Sequence, residues 1–124
     1  MIAVDTSSWS AYLAGASGPD VEHVERALEQ GHAVLPPVDL SELLSNTKLP
    51  LAAAKHLLEL PTLEISEGYW ERAGRLRAKV LARGLRARLA DSLIAASCID
   101  HGIALVTRDA DFRHFAKLGG LELR

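Results

Sequence analysis

Four acidic residues stand where an acid can do chemistry. Asp5 directly follows the apolar run Ile2–Val4, and Asp109 follows Ile103–Val106 in Thr107-Arg108-Asp109-Ala110-Asp111. Asp91 opens an Ala-rich stretch, Asp-Ser-Leu-Ile-Ala-Ala-Ser-Cys-Ile, and Glu42 sits early in a helical segment behind Pro36-Pro37. Singly, each has an ordinary use. Asp5 and Asp91 suit a helix N-terminus, Asp109 or Asp111 a turn, and Glu42 a solvated face. Gathered at one rim they would repel one another, and desolvation would add to the cost. A fold that gathers carboxylates favours a bound cation, and oxygen ligands suit hard Mg2+ or Mn2+. The chain has no zinc-type Cys/His spacing, no HExxH, no P-loop and no GxGxxG to suggest other chemistry.

Bringing these acids together requires elements that end at a common edge. Ile2–Val4, His32–Leu35, Leu63–Ile65, Ile103–Val106 and Leu121–Leu123 read as short strands. Helices are expected from a Thr6, Ser7 or Ser8 cap to about Ala14, from Pro19 to Gly31, over Val38–Leu44 and over Leu51–Leu60. Three more are expected from Ser66 to Gly84, over Leu89–Ile99 and over Ala110–Phe115. Alternating strands and helices predict an α/β fold with a mostly parallel central sheet covered on both faces. In such sheets the functional crevice lies beyond the carboxyl ends of the strands, which is where Asp5 and Asp109 fall.

The chain has 124 residues, 48% of them hydrophobic and 24% charged, with no repeat or linker, so one domain over 1–124 is expected. No apolar run approaches the roughly 20 residues of a membrane helix. The N-terminus lacks a basic leader, and the single cysteine, Cys98, is expected in the core of a cytoplasmic protein. Charge is uneven: residues 1–70 hold three basic and ten acidic residues, residues 71–124 eleven basic and six acidic. Arg83, Arg86, Arg88 and Arg108, close in sequence to Asp91 and Asp109, are candidate contacts to an anionic polymer. Trp9 is expected in the core or at a contact with a nucleic-acid or protein partner.

The four acidic segments also carry a resemblance. Ile-Ala-Val-Asp5-Thr6-Ser7, Leu40-Ser41-Glu42-Leu43-Leu44, Leu89-Ala90-Asp91-Ser92-Leu93-Ile94-Ala95-Ala96 and Leu105-Val106-Thr107-Arg108-Asp109-Ala110-Asp111-Phe112 occur in this order. They resemble the acidic motifs of PIN-domain ribonucleases, most closely the VapC-type toxins of toxin–antitoxin systems. The resemblance implies a PIN-like three-layer α/β/α sandwich and an endoribonuclease dependent on Mg2+ or Mn2+. Asp5, Glu42, Asp91 and Asp109 would form the acidic centre, with Asp111 as the rival for the fourth place. Thr6 and Thr107 would orient carboxylates. The implied products carry a 5′-phosphate and a 3′-hydroxyl. The implied partners are RNA, a cognate antitoxin and a second copy in a homodimer. Asp39 is an additional acid to which the pattern gives no role. The alternatives are a PIN-type processing nuclease without an antitoxin, a phosphotransferase using Asp5 as nucleophile, and a catalytically inactive PIN binding module. An Asp-x-Asp start would favour the phosphotransferase, but position 7 is serine. The retained acids speak against the inactive module.

Overall fold

A computed structural model describes all residues, Met1–Arg124. Three parallel strands form the sheet: β1 (Ile2–Val4) lies between β2 (Ala33–Val34) and β3 (Ala104–Val106). Ile2 pairs with Ala33 on one side and with Ala104 on the other. The helices are α1 (Thr6–Leu13), α2 (Pro19–Gln30), α3 (Pro37–Leu44), α4 (Leu51–Leu58), α5 (Tyr69–Leu81), α6 (Leu89–His101) and α7 (Phe112–Gly119).

The strand residues alternate between two cores, as the two-residue period of a strand requires. Ile2, Val4, Ala33, Leu35 and Val106 pack on one face with Trp9 of α1, Val24 of α2, Leu43 of α3 and Leu57 of α4. Ala3, Val34 and Leu105 pack on the other with Ile94, Ala95 and Cys98 of α6 and Phe112 and Phe115 of α7. The result is the expected three-layer α/β/α arrangement. Small residues on α6 let it lie close against the sheet, and α5 covers the outside of α6. Cys98 is fully buried.

Several expected elements differ. Neither Leu63–Ile65 nor Leu121–Leu123 forms a strand; each makes one isolated bridge, Thr62 to Leu35 and Leu123 to Leu105. Leu63 N–H reaches the Leu35 carbonyl, but the next rung would need an N–H from residue 37, which is the proline that opens α3, so the ladder stops there. α1 is capped by Asp5, whose carboxylate accepts from Ser8 N–H, rather than by Thr6, Ser7 or Ser8. α7 begins at Phe112 and not at Ala110, because Asp109 accepts from Asp111 N–H and holds the chain in a turn. Trp9 is 1% exposed and offers no surface to RNA or a partner protein.

Two glycines allow a test with opposite signs. Gly102 closes α6 at φ +61°, while Gly74 lies inside α5 with an ordinary φ; an added Cβ meets nothing at either position. Gly102→Ala should cost about 1 kcal/mol through left-handed backbone strain. Gly74→Ala should stabilise by about 0.5–1 kcal/mol. Urea unfolding of the two variants checks this, and equal signs would contradict it.

Candidate active site

The carboxyl edge of the sheet collects the acids. Chain direction delivers two of them: β1 ends at Val4, so Asp5 is the next residue, and β3 ends at Val106, three residues before Asp109. Asp5 N–H bonds the Val106 carbonyl at 3.0 Å, which locks the two strand ends together. Asp91 lies in the first turn of α6, and Glu42 on α3, which packs against both α1 and α6.

Hydroxyls hold the carboxylates. Ser7 donates to Asp5 Oδ1 at 2.7 Å, beside the Ser8 N–H bond at 3.2 Å. Thr6 Oγ1 lies 2.8 Å from Glu42 Oε1 and 2.7 Å from Asp39 Oδ1. Thr107 Oγ1 accepts from Asp109 N–H at 3.0 Å and stands 3.4 Å from Ser7 Oγ.

The electrostatics show that the acids share one space. Burial pushes the Asp91 carboxyl up to about 6, helped by the charges of Asp109, Glu42 and Asp5 and opposed by Arg88. Burial also raises Asp5, which Ser7 and Ser8 oppose and the Asp109 charge reinforces. Asp109 therefore faces this group, whereas Asp111 meets Arg86 at 3.8 Å. Asp91 Oδ2 is buried without a hydrogen-bond donor. No three His, Cys, Asp or Glu side chains converge into a ready-made cage. A set of carboxylates with an orphaned buried oxygen nonetheless has the donor chemistry for a hard divalent ion.

The arginines divide. Arg83, Arg86 and Arg88 are exposed beside the N-terminus of α6. Arg108 is not a free contact for RNA. Its guanidinium forks onto Asp20 at 2.7 and 2.9 Å and reaches the Ser17 carbonyl. Ser8 also donates to Asp20, so this cluster ties the loop carrying Asp109 to α1 and α2. Arg108 lowers the Asp20 carboxyl to about 2.

Sequence reasoning missed the parts played by Asp20, Ser7 and Asp39. Nothing in sequence links Asp20 to Arg108 across 88 positions. Asp39, fully buried, carried a readable signal: three residues before Glu42, it shares that residue's helix face.

The PIN domain family matches residues 2–118. The chain belongs to the PIN-domain family. Similar curated proteins include the VapC ribonuclease Mb1587 of Mycobacterium bovis and ribonuclease VapC11 of Mycobacterium tuberculosis. Each is 32% identical over 132 residues, spanning 98% of this chain and 96% of the relative. Similar solved structures include the Rickettsia felis VapBC2 complex bound to a promoter DNA fragment. It has a TM-score of 0.76 and 21% identity, covering 100% of this chain and 98% of the other. The Mycobacterium tuberculosis VapBC-5 toxin–antitoxin structure has a TM-score of 0.72 and 24% identity, covering 98% and 95%. At these identities the structural likeness speaks for the fold, and the PIN arrangement agrees with the three layers described above.

A pH test follows from Asp91. Its carboxyl in the folded chain lies above the ~4 of a free carboxyl. Its contribution to stability is thus fully present below the unfolded value and is lost as pH rises toward about 6. With metal chelated, Asp91→Asn should be more stable than wild type at pH 7, on the order of 1 kcal/mol after solvent screening. The gap should close by about pH 4. Urea unfolding at the two pH values checks it; a variant no more stable at pH 7 would contradict the crowding.

Proposed function

We propose that this PIN-domain protein is an endoribonuclease dependent on Mg2+ or Mn2+ and acts as the toxin of a type II toxin–antitoxin pair. The observation that carries the reading is Asp91, a carboxyl raised by burial and by three other acids drawn from distant parts of the chain. Such crowding is unfavourable in the free protein and favourable around a cation. The relatives named as ribonucleases along nearly the whole chain support RNA as the substrate.

In this reading Asp5, Glu42, Asp91 and Asp109 hold the ion. Thr6 and Thr107 orient their neighbours, and Asp111 supports the loop. A bound divalent ion supplies charge neutralisation at the phosphate and a water of lowered pKa. Ser7 and the Ser8 N–H favour the charged form of Asp5 against the opposing effect of its burial and fix its orientation. Arg83, Arg86 and Arg88 offset the acids' repulsion of RNA and position its phosphates, without reading sequence. Arg108 instead secures the loop behind Asp109 through Asp20.

The toxin–antitoxin complexes among the structural neighbours support an antitoxin partner. A cleft of about 230 Å3 runs from Thr6 and Glu42 past Leu13 and Leu49 to Lys48, an entry for a peptide that places a cation among the acids. A homodimer and a cytoplasmic setting complete the proposal.

RNA cleavage by the purified protein should require added Mg2+ or Mn2+ and stop in excess chelator. Asp5→Asn and Asp91→Asn should each reduce it by more than the roughly 10–100-fold that loss of an outer-shell partner costs. Asp109→Asn should be more severe than Asp111→Asn. End-labelled RNA measures all of these. Undiminished cleavage in chelator would remove the metal role, and the reverse order of the last pair would move the fourth position to Asp111.

A further inference from the structure

We propose that Asp39 is a positioning residue that fixes Glu42 through the Thr6 hydroxyl. The inference rests on the metal-dependent reading above and adds a fifth carboxyl, one that never meets the ion.

Asp39 lies in the first turn of α3 with no solvent exposure. An acid there would ordinarily serve its own helix N-terminus. This one does not: its Oδ1 is spent on Thr6 of α1, 2.7 Å away, and its own N–H goes to the Pro36 carbonyl. The same Thr6 oxygen is 2.8 Å from Glu42 Oε1. A threonine hydroxyl has one proton to donate and lone pairs to accept with. It cannot donate to two carboxylates. The three groups are satisfied when one carboxyl keeps its proton and donates to Thr6, while Thr6 donates to the other.

Burial decides the direction. Asp39 is enclosed and its Oδ2 has no donor, whereas Glu42 is partly exposed. Burial pushes the Asp39 carboxyl well above its usual range, opposed by Thr6 and reinforced by the charges of Asp5 and Glu42. The enclosed Asp39 is thus the carboxyl that keeps the proton and donates to Thr6, and Thr6 donates to Glu42 Oε1. Each bond polarises the next. Glutamate has three side-chain torsions, and a tether at Oε1 sets them before an ion arrives while leaving Oε2 free.

Mn2+ affinity of the metal-free full chain, read by titration calorimetry, tests this on Asp39→Ala, Asp39→Asn, Glu42→Gln and the Asp39→Ala/Glu42→Gln pair. Asp39→Ala should weaken Mn2+ binding about 10-fold, within the range for an outer-shell partner. Asp39→Asn, whose neutral amide can donate to Thr6, should recover most of that loss. In the Glu42→Gln background, Asp39→Ala should cost less than about 2-fold more, because its effect passes through Glu42. If Asp39→Ala does not fold, Thr6→Val removes the same link and enters the same cycle. Losses that multiply, or an Asn variant as weak as the Ala variant, would overturn the assignment. RNA cleavage is scored beside binding. A wild-type protein that binds Mn2+ but cuts no RNA sinks the ribonuclease reading and leaves this one standing; one that binds no Mn2+ sinks both.

Discussion

Ionised carboxylates in a half-buried space repel one another, and this chain places several of them there. The rest of the structure is organised around that repulsion. Parallel strands make it possible, because β1 and β3 run the same way and release Asp5 and Asp109 at the same edge. The two apolar cores make it rigid. Trp9 and Val24 pack on one face and Ile94 and Phe115 on the other, so the strand ends cannot spread to relieve the charge. Serine and threonine hydroxyls then supply what local compensation the chain offers: Ser7 to Asp5 and Thr6 between Glu42 and Asp39, with one proton for the two. Asp91, like Asp39, receives no donor at a buried oxygen, and burial raises both carboxyls.

The basic residues are arranged around this group and not within it. Arg88 is near enough to moderate Asp91, yet it remains on the surface. Arg72 and Arg75 are taken up by Asp100 and Glu71 on the far flank, where they line a separate cleft between α5, α6 and α7. Arg108, next in sequence to Asp109, turns away onto Asp20. The centre is thus left short of positive charge while its rim has it. The proposed admission of a divalent cation and a polyanion would call for that distribution.

Much of this was readable from the amino-acid order. Short continuous apolar runs mark β1 and β3, glycines mark the ends of α2 and α6, and acids soon after the strands mark the edge where chemistry concentrates. What was not readable depends on partners far away in the chain. Leu63–Ile65 and Leu121–Leu123 have strand composition, but Pro37 opposite the first has no N–H to extend the pairing, and the second pairs only through Leu105. Arg108 looks like an RNA contact until Asp20 is found opposite it. Asp39 looks like a spare acid until Thr6, 33 positions earlier, is found against it. Periodicity reports which face a residue occupies; it does not report which groups from other elements share that face.

The central claim is that the crowded acids are stabilised by a divalent ion. The most direct measurement is the thermal unfolding midpoint of the metal-free protein against Mn2+ concentration, at pH 7 and at pH 4.5. An ion that binds only the folded chain raises stability with the logarithm of its concentration above Kd. The account predicts a midpoint that climbs steadily with Mn2+ at pH 7 and climbs far less at pH 4.5, where Asp91 holds a proton. A midpoint that ignores Mn2+ at pH 7, or responds equally at both pH values, would contradict it.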